Sequence, residues 1–199
     1  MNHLGSVGRL NNRYFVMRHG QSKANLAGII VSRVETDASG DYGLSEAGRD
    51  QVLAAARSGQ LPAGTLVCSS DFARAVQTAR IMAEYLGSSP VRETAALRER
   101  SFGTWEGTSV ENYRKVWAAD EAAASSNGVE PPCAVLDRAT AFLLELEGQH
   151  ADRDILLVSH GDTLQILQAG FGRMDPARHR RLPHLETAEI RRMRLAAAG

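Results

Sequence analysis

Cysteine is nearly absent from this chain of 199 residues: Cys68 and Cys133 are the only two. They form no CxxC pair and are too few for a disulfide framework, so reducing cytosol is the expected setting. An excess of one charge is missing too. Lys and Arg number 23 and Asp and Glu number 23, a formal net charge of +0. Such a chain has no global pull toward nucleic acid or an anionic membrane, and no partner of either kind is expected; any anion site must be a local cluster. No apolar run approaches the ~18 residues that a membrane helix needs. Residues 1–10 carry no apolar stretch of the signal-peptide kind. Repeats of fixed period and long runs of like charge are also lacking.

What is present is the balance of an ordinary globule, 43% hydrophobic and 23% charged. At this length a chain buries roughly 70% of its unfolded surface and needs no metal or disulfide staple. Three short apolar runs stand out: Tyr14-Phe15-Val16-Met17, Thr65-Leu66-Val67-Cys68 and Ile155-Leu156-Leu157-Val158. Uninterrupted runs of this kind suit strands covered on both faces. Helical periodicity follows over 71–86, stopping at Gly87, and over 163–171. Two further helices are expected at 45–57, with Ser45 as N-cap, and at about 135–146. This alternation predicts an α/β fold with a mostly parallel sheet. Residues 106–132 read as a helical excursion with a small-residue loop and a Pro131-Pro132 stop, and 28–43 read as a loop. The whole chain is expected to form one domain, 1–199, with 106–132 as a cap insert.

In an open parallel sheet, ligands bind beyond the carboxyl ends of the strands. Those ends carry Arg18-His19-Gly20, Ser69-Ser70-Asp71 with Arg74 one turn on, and Ser159-His160-Gly161. Together they would bring two imidazoles and two guanidiniums into one crevice. Arginine forks match phosphate oxygens. Gly20 and Gly161 would let the backbone approach an anion at a helix N-terminus. A histidine among arginines stays neutral and nucleophilic near pH 7. The chemistry favoured is attack of an imidazole nitrogen on phosphorus, giving a phosphohistidine. No cluster has metal-ligand spacing, so neither metal nor other cofactor is expected.

The blocks Val16-Met17-Arg18-His19-Gly20-Gln21-Ser22-Lys23-Ala24-Asn25, Cys68-Ser69-Ser70-Asp71-Phe72-Ala73-Arg74-Ala75-Val76-Gln77-Thr78-Ala79, Leu97-Arg98-Glu99-Arg100-Ser101-Phe102-Gly103-Thr104-Trp105-Glu106-Gly107 and Val158-Ser159-His160-Gly161 resemble, in order, the signature of the histidine phosphatase (phosphoglycerate-mutase-like) superfamily. A weaker fifth block runs from Gly43-Leu44-Ser45 to Arg49-Asp50-Gln51. The resemblance covers about residues 14–170. It implies a three-layer sandwich with helices on both sheet faces and a small helical cap. It also implies His19 as the phosphorylated nucleophile, and Arg18, Arg74 and His160 on the phosphoryl group with help from Asn25 and Gly161. Glu99 would be proton donor to the leaving oxygen and then base for water, while Gln21 and Ser22 would line the substrate pocket.

The 106–132 insert departs from the mutase pattern. It offers Arg114-Lys115 against Glu106, Glu111, Asp120, Glu121 and Glu130, and Pro132-Cys133-Ala134-Val135 stands where many relatives carry Gly-Glu-Ser. A metal-independent phosphomonoesterase acting on a small phosphorylated metabolite or a phosphoprotein is therefore expected ahead of a phosphoglycerate-mutase-type phosphotransferase. Trp105 and Trp117 are expected to serve packing. Oligomeric state has no signature here.

Overall fold

A computed structural model describes residues 1–38, 42–88, 90–124 and 127–197. The sheet has the order β3-β2-β4-β1-β5. Its parallel part comprises β1 (Arg13–Arg18), β2 (Leu66–Ser70), β3 (Arg92–Thr94) and β4 (Asp154–Ser159), and β5 (Ile190–Arg192) runs antiparallel along β1. The three apolar runs are the three inner strands. Ile155, Leu156, Leu157 and Val158 are all fully buried, because β4 has a strand on each edge and helices on each face.

Alternation along the strands divides the core in two. Tyr14, Val16, Ile155 and Leu157 face α6 (Pro132–Gln149) and α7 (Gly161–Phe171), packing against Leu143, Leu164 and Phe171. Met17, Val67, Leu156 and Val158 face α3 (Glu46–Arg57) and α4 (Ala73–Leu86), packing against Val52, Ala79 and Met82. Each such buried aliphatic side chain contributes ~1.5–3 kcal/mol. The expected three-layer sandwich is the observed one.

Local signals explain most boundaries. Ser45 Oγ accepts from Gly48 N at 3.0 Å to start α3, and Gly87 ends α4 in the left-handed conformation at φ 59°. Pro131-Pro132 does not act as a stop. Pro132 opens α6, three residues before the expected start, because the first N–H of a helix has no intrahelical partner to lose. The 28–43 stretch is not wholly loop: it holds α2 (Val34–Ala38), while 39–41 of that expected loop lie outside the described residues. A further short helix, α1 (Lys23–Ala27), follows β1. In the cap, α5 (Tyr113–Glu121) follows a short 3-10 turn, and Val116 and Trp105 pack with Ile30 and Phe102. Of the expected small-residue loop there, 125–126 lie outside the described residues.

The register between β1 and β4 brings the two histidines together. Arg18 pairs with Ser159 across these strands, so His19 and His160, the next residues on each chain segment, leave the sheet side by side.

Candidate active site

A cavity of about 200 Å³ opens at the carboxyl edge of the sheet, and Arg18, His19, Arg74, Glu99 and Gly161 lie in its wall. His19 Nδ1 faces the carbonyl of Gly20 at 2.7 Å. A carbonyl only accepts, so Nδ1 carries the hydrogen and Nε2 carries the lone pair. Arg74 Nε–H donates to that Nε2 at 3.1 Å. Burial above all, then the charges of Arg74 and Arg18, hold His19 well below the ordinary imidazole pKa. The ring is therefore neutral and basic at Nε2 near pH 7.

His160 is fully buried and meets the His19 ring edge-on, with centroids 5.2 Å apart and an interplanar angle of 64°. Its Nε2 lies 2.8 Å from Ser70 Oγ at the end of β2. Burial, then Arg74 and His19, hold it low too. It stands behind His19 rather than in the cavity wall. Three strand ends thus converge as the sequence predicts.

The arginines are anchored by part of each guanidinium. Arg74 NH2 donates to Val31 O at 2.9 Å, and Arg18 NH1 lies 2.8 Å from His184 Nε2 and 3.0 Å from Leu185 O. Arg74 NH1 and Arg18 Nε are buried donors with no hydrogen-bond acceptor among the described residues. Donors left in this state beside a neutral imidazole fit an anion with several oxygens. Asp37, on α2, supports Arg74 from outside. Its Oδ1 is 3.5 Å from Arg74 NH1, and its Oδ2 accepts from Ala73 N at 2.8 Å, capping α4 where Phe72 offers no side-chain cap.

Glu99 makes no surface ion pair. Arg98 turns to Asp71, and the Arg100 side chain goes to Asp120 through two bonds of 2.6 Å. The Glu99 carboxyl instead accepts from Arg100 N at 2.9 Å and from Thr163 N at 3.2 Å, both on Oε1. Burial first, then the charge of Asp162, push its pKa up, with Arg74 opposing.

The remaining expected residues divide. Asn25 lines the cavity; its Oδ1 accepts from Ser22 N and Oγ, each at 3.0 Å, which leaves its Nδ2 donors outside this capping box of α1. Ser22 is fully buried and lies in the wall, but its hydroxyl serves that box. Gln21 is absent from the wall: its Oε1 accepts from Ser45 Oγ at 2.9 Å, tying the β1 loop to α3. Gly20 is absent from the wall too. A Cβ there would lie 2.5 Å from Gly48 O, so its role is the close approach of that loop to α3.

Besides the aliphatic Ala24, Ile29 and Val31, five aromatic or charged wall residues went unread in the sequence as site residues. Tyr113 and Trp117, four apart on α5, stack at 5.5 Å and 10°, and the Arg180 guanidinium lies 3.6 Å over the Trp117 ring. Trp117 thus serves the cavity and not packing alone, whereas Trp105 packs. Asp162 and His184 complete the set. The Tyr113/Trp117 spacing and an acid directly after Ser159-His160-Gly161 were readable signals; nothing local marks Arg180 or His184. Among the described residues, no group of three or more His, Cys, Asp or Glu is arranged to hold a metal ion.

Similarity to known proteins agrees with this geometry. A glucosyl-3-phosphoglycerate phosphatase of Mycolicibacterium vanbaalenii is 31% identical over 173 residues, 80% of this chain and 73% of that protein. A metal-independent phosphoserine phosphatase of Arabidopsis thaliana is 30% identical over 165 residues, 76% of this chain and 65% of that protein. A mycobacterial glucosyl-3-phosphoglycerate phosphatase solved as a complex with VO3 superposes with a TM-score of 0.77 at 29% identity, covering 90% of this chain and 91% of that one. The family model matches residues 14–199, past the expected limit near 170 and through the segment that supplies Arg180 and His184. The chain belongs to the histidine phosphatase superfamily, in its branch 1.

Proposed function

We propose that this phosphatase hydrolyses the monoester of a small phosphorylated metabolite in two steps, without a metal, through a phosphohistidine at His19. The observation that carries the reading is the tautomer: Gly20 O holds the hydrogen on Nδ1 and leaves Nε2 as the attacking atom. On substrate binding, Arg74 and Arg18 turn their unpaired N–H groups to the phosphoryl oxygens, and Arg74 releases Nε2. Nε2 then bonds to phosphorus as the ester P–O bond breaks, and Glu99 gives its proton to the leaving oxygen. Water next loses a proton to the Glu99 carboxylate and attacks phosphorus. The P–N bond breaks, phosphate leaves, and both groups are restored. His160 supports the phosphoryl site from behind His19, and Asn25 Nδ2 and Gly161 border it.

Size and charge support this choice of substrate and reaction. A cavity of about 200 Å³ suits a small leaving group better than a phosphoprotein loop. Relatives named for glucosyl-3-phosphoglycerate and phosphoserine point the same way. The cap's two cations stay out of the cavity: Arg114 is exposed and 3.9 Å from Glu111, and Lys115 sits 5.1 Å over the Trp105 ring. That favours hydrolysis over the mutase alternative, although one relative, from Afipia carboxidovorans, is named a mutase at 28% identity. We take 1–199 as one domain with 106–132 as its cap. It is assigned to the cytosol because Cys68 and Cys133 are both free thiols, and it has no nucleic-acid or membrane partner.

The test is acid quench of enzyme mixed with a labelled aryl phosphate. An acid-labile phosphoenzyme should form, and His19→Ala should abolish both it and turnover; normal turnover by that variant would overturn the reading. Assay on 3-phosphoglycerate with a bisphosphoglycerate primer separates mutase from phosphatase.

A further inference from the structure

Two buried carboxyl groups meet at this end of the sheet, Glu99 and Asp162, and each is held by the sequence neighbour of the other. Arg100, next to Glu99, donates from NH1 to Asp162 Oδ2 at 3.3 Å. Thr163, next to Asp162, donates its backbone N–H to Glu99 Oε1 at 3.2 Å. Their surroundings are opposite in sign. Asp162 also accepts from Trp117 Nε1 at 2.9 Å, and has His179 Nε2 at 3.5 Å and Arg180 NH1 at 3.9 Å. It stands in the first turn of α7, where the helix dipole favours an anion. Glu99 has no ion-pair partner among the described residues, and its donors converge on Oε1, leaving Oε2 as the oxygen for a proton.

Two neighbouring carboxyls in a dry site do not both ionise cheaply, and the environment decides which keeps the proton. We propose that Asp162 is a positioning residue for the hydrolysis: its fixed negative charge beside Glu99 makes Glu99 the carboxyl that carries the proton for the leaving oxygen. The inference rests on Glu99 being the acid of the proposed hydrolysis. Burial would raise Asp162, but the nearby His179 and the charges of Arg100 and Arg180 outweigh it and hold it below the usual carboxylate range. The other groups facing Glu99 are Arg74 from α4, which draws it down, Tyr113 from α5, and Arg138 from α6, whose NH2 reaches the Glu99 carbonyl at 3.3 Å.

The test is a set of pH–rate profiles on an alkyl phosphate for the parent, Asp162→Asn, Asp162→Ser, Asp162→Glu and Glu99→Gln, with folding followed by circular dichroism. Neutralising Asp162 lets Glu99 lose its proton at lower pH. Both neutral variants should be about tenfold slower than the parent at pH 8 and within about twofold at pH 5.5. Asp162→Glu, which keeps the charge, should keep the parent's alkaline limb. A loss equal at every pH would overturn the proposal and leave Asp162 a packing residue. A parent-like alkaline limb in Glu99→Gln would overturn the acid assignment and the proposal with it. Should neither neutral variant fold, a 13C carboxyl titration of the parent, assigned by difference from Glu99→Gln, decides. Asp162 ionising first, with the Glu99 signal responding to it and Glu99 then holding its own proton beyond the ordinary carboxyl range, supports the proposal. Ionisation of Glu99 within that range, or no response to Asp162, overturns it.

Discussion

Arg74 Nε–H donates to His19 Nε2 at 3.1 Å, so the cation proposed to bind the phosphoryl group already occupies the lone pair proposed to attack it. One guanidinium then does two things in sequence: it keeps the imidazole neutral and oriented, and it moves to the phosphoryl oxygens when they arrive. A lysine has the charge and three N–H groups, but all on one nitrogen; it lacks the planar fork whose separate nitrogens reach His19 Nε2 and Val31 O. Arg74→Lys should therefore lower kcat/KM by about 10²–10³-fold, close to the loss in Arg74→Ala. Recovery to within a few-fold of the parent would show that charge alone is needed.

The three strand ends were legible because each inner strand is a bare apolar run, and a run that ends in Arg-His-Gly or Ser-His-Gly announces what leaves the sheet there. β3 and β5 were not legible. Each is three residues long, Arg92-Glu93-Thr94 and Ile190-Arg191-Arg192, and each is an outermost strand with little apolar surface to bury. Asp37 was hidden for another reason. Its two partners, Ala73 and Arg74, lie far along the chain, and a contact made only by folding leaves no local pattern. The same holds for His184 against Arg18.

Asp37 links a weak element to the site, so its removal should separate stability from catalysis. Asp37→Ala deletes the acceptor for Ala73 N and the carboxylate nearest Arg74 NH1. Loss of a cap acceptor costs about 0.5–2 kcal/mol, measurable as a lower urea midpoint. Arg74 keeps Val31 O and His19, so KM should rise more than kcat falls. An unchanged midpoint would mean that α4 does not depend on this cap.

Stability should fall on acidification through the range of ordinary histidine titration. His19 and His160 are held well below the usual pKa of about 6.5, by burial first and then by the arginines. Below that pH the unfolded chain takes up protons that the native state refuses. Unfolding free energy therefore drops as pH falls, by up to about 1.4 kcal/mol per unit for each histidine. Glu99, whose pKa is raised, acts in the opposite sense above the ordinary carboxyl pKa, so Glu99→Gln gives the cleaner background. Urea unfolding at pH 7, 6 and 5 should show the decline, to which His184, also held low, adds, and His160→Gln should make it shallower. A flat profile would mean that His19 and His160 both take up protons in the native state.

Hydrolysis should survive excess chelator. The groups around His19 are guanidiniums and neutral imidazoles rather than a cluster of oxygen ligands, and the guanidinium charge of Arg18 and Arg74 can do what a metal does elsewhere. Vanadate, which takes the shape of the phosphoryl group in transfer, should inhibit. Activity abolished by EDTA and restored by a divalent ion would contradict the metal-independent reading.

Glu99→Gln should discriminate between leaving groups. The glutamine carbonyl can still accept from Arg100 N and Thr163 N, so the fold around the carboxyl position is preserved. What is lost is the proton on the other oxygen. An alkoxide leaving group is a strong base and needs that proton as the P–O bond breaks; an activated aryl oxide does not. Rapid mixing should show the phosphohistidine forming from an aryl phosphate at nearly the parent rate, and from an alkyl phosphate about 10²-fold more slowly. The second step also loses its base, so phosphoenzyme should accumulate in the variant with the aryl substrate. Equal slowing of phosphoenzyme formation with both substrates would assign Glu99 to positioning the substrate, and the acid would have to be sought among the other groups in the cavity wall.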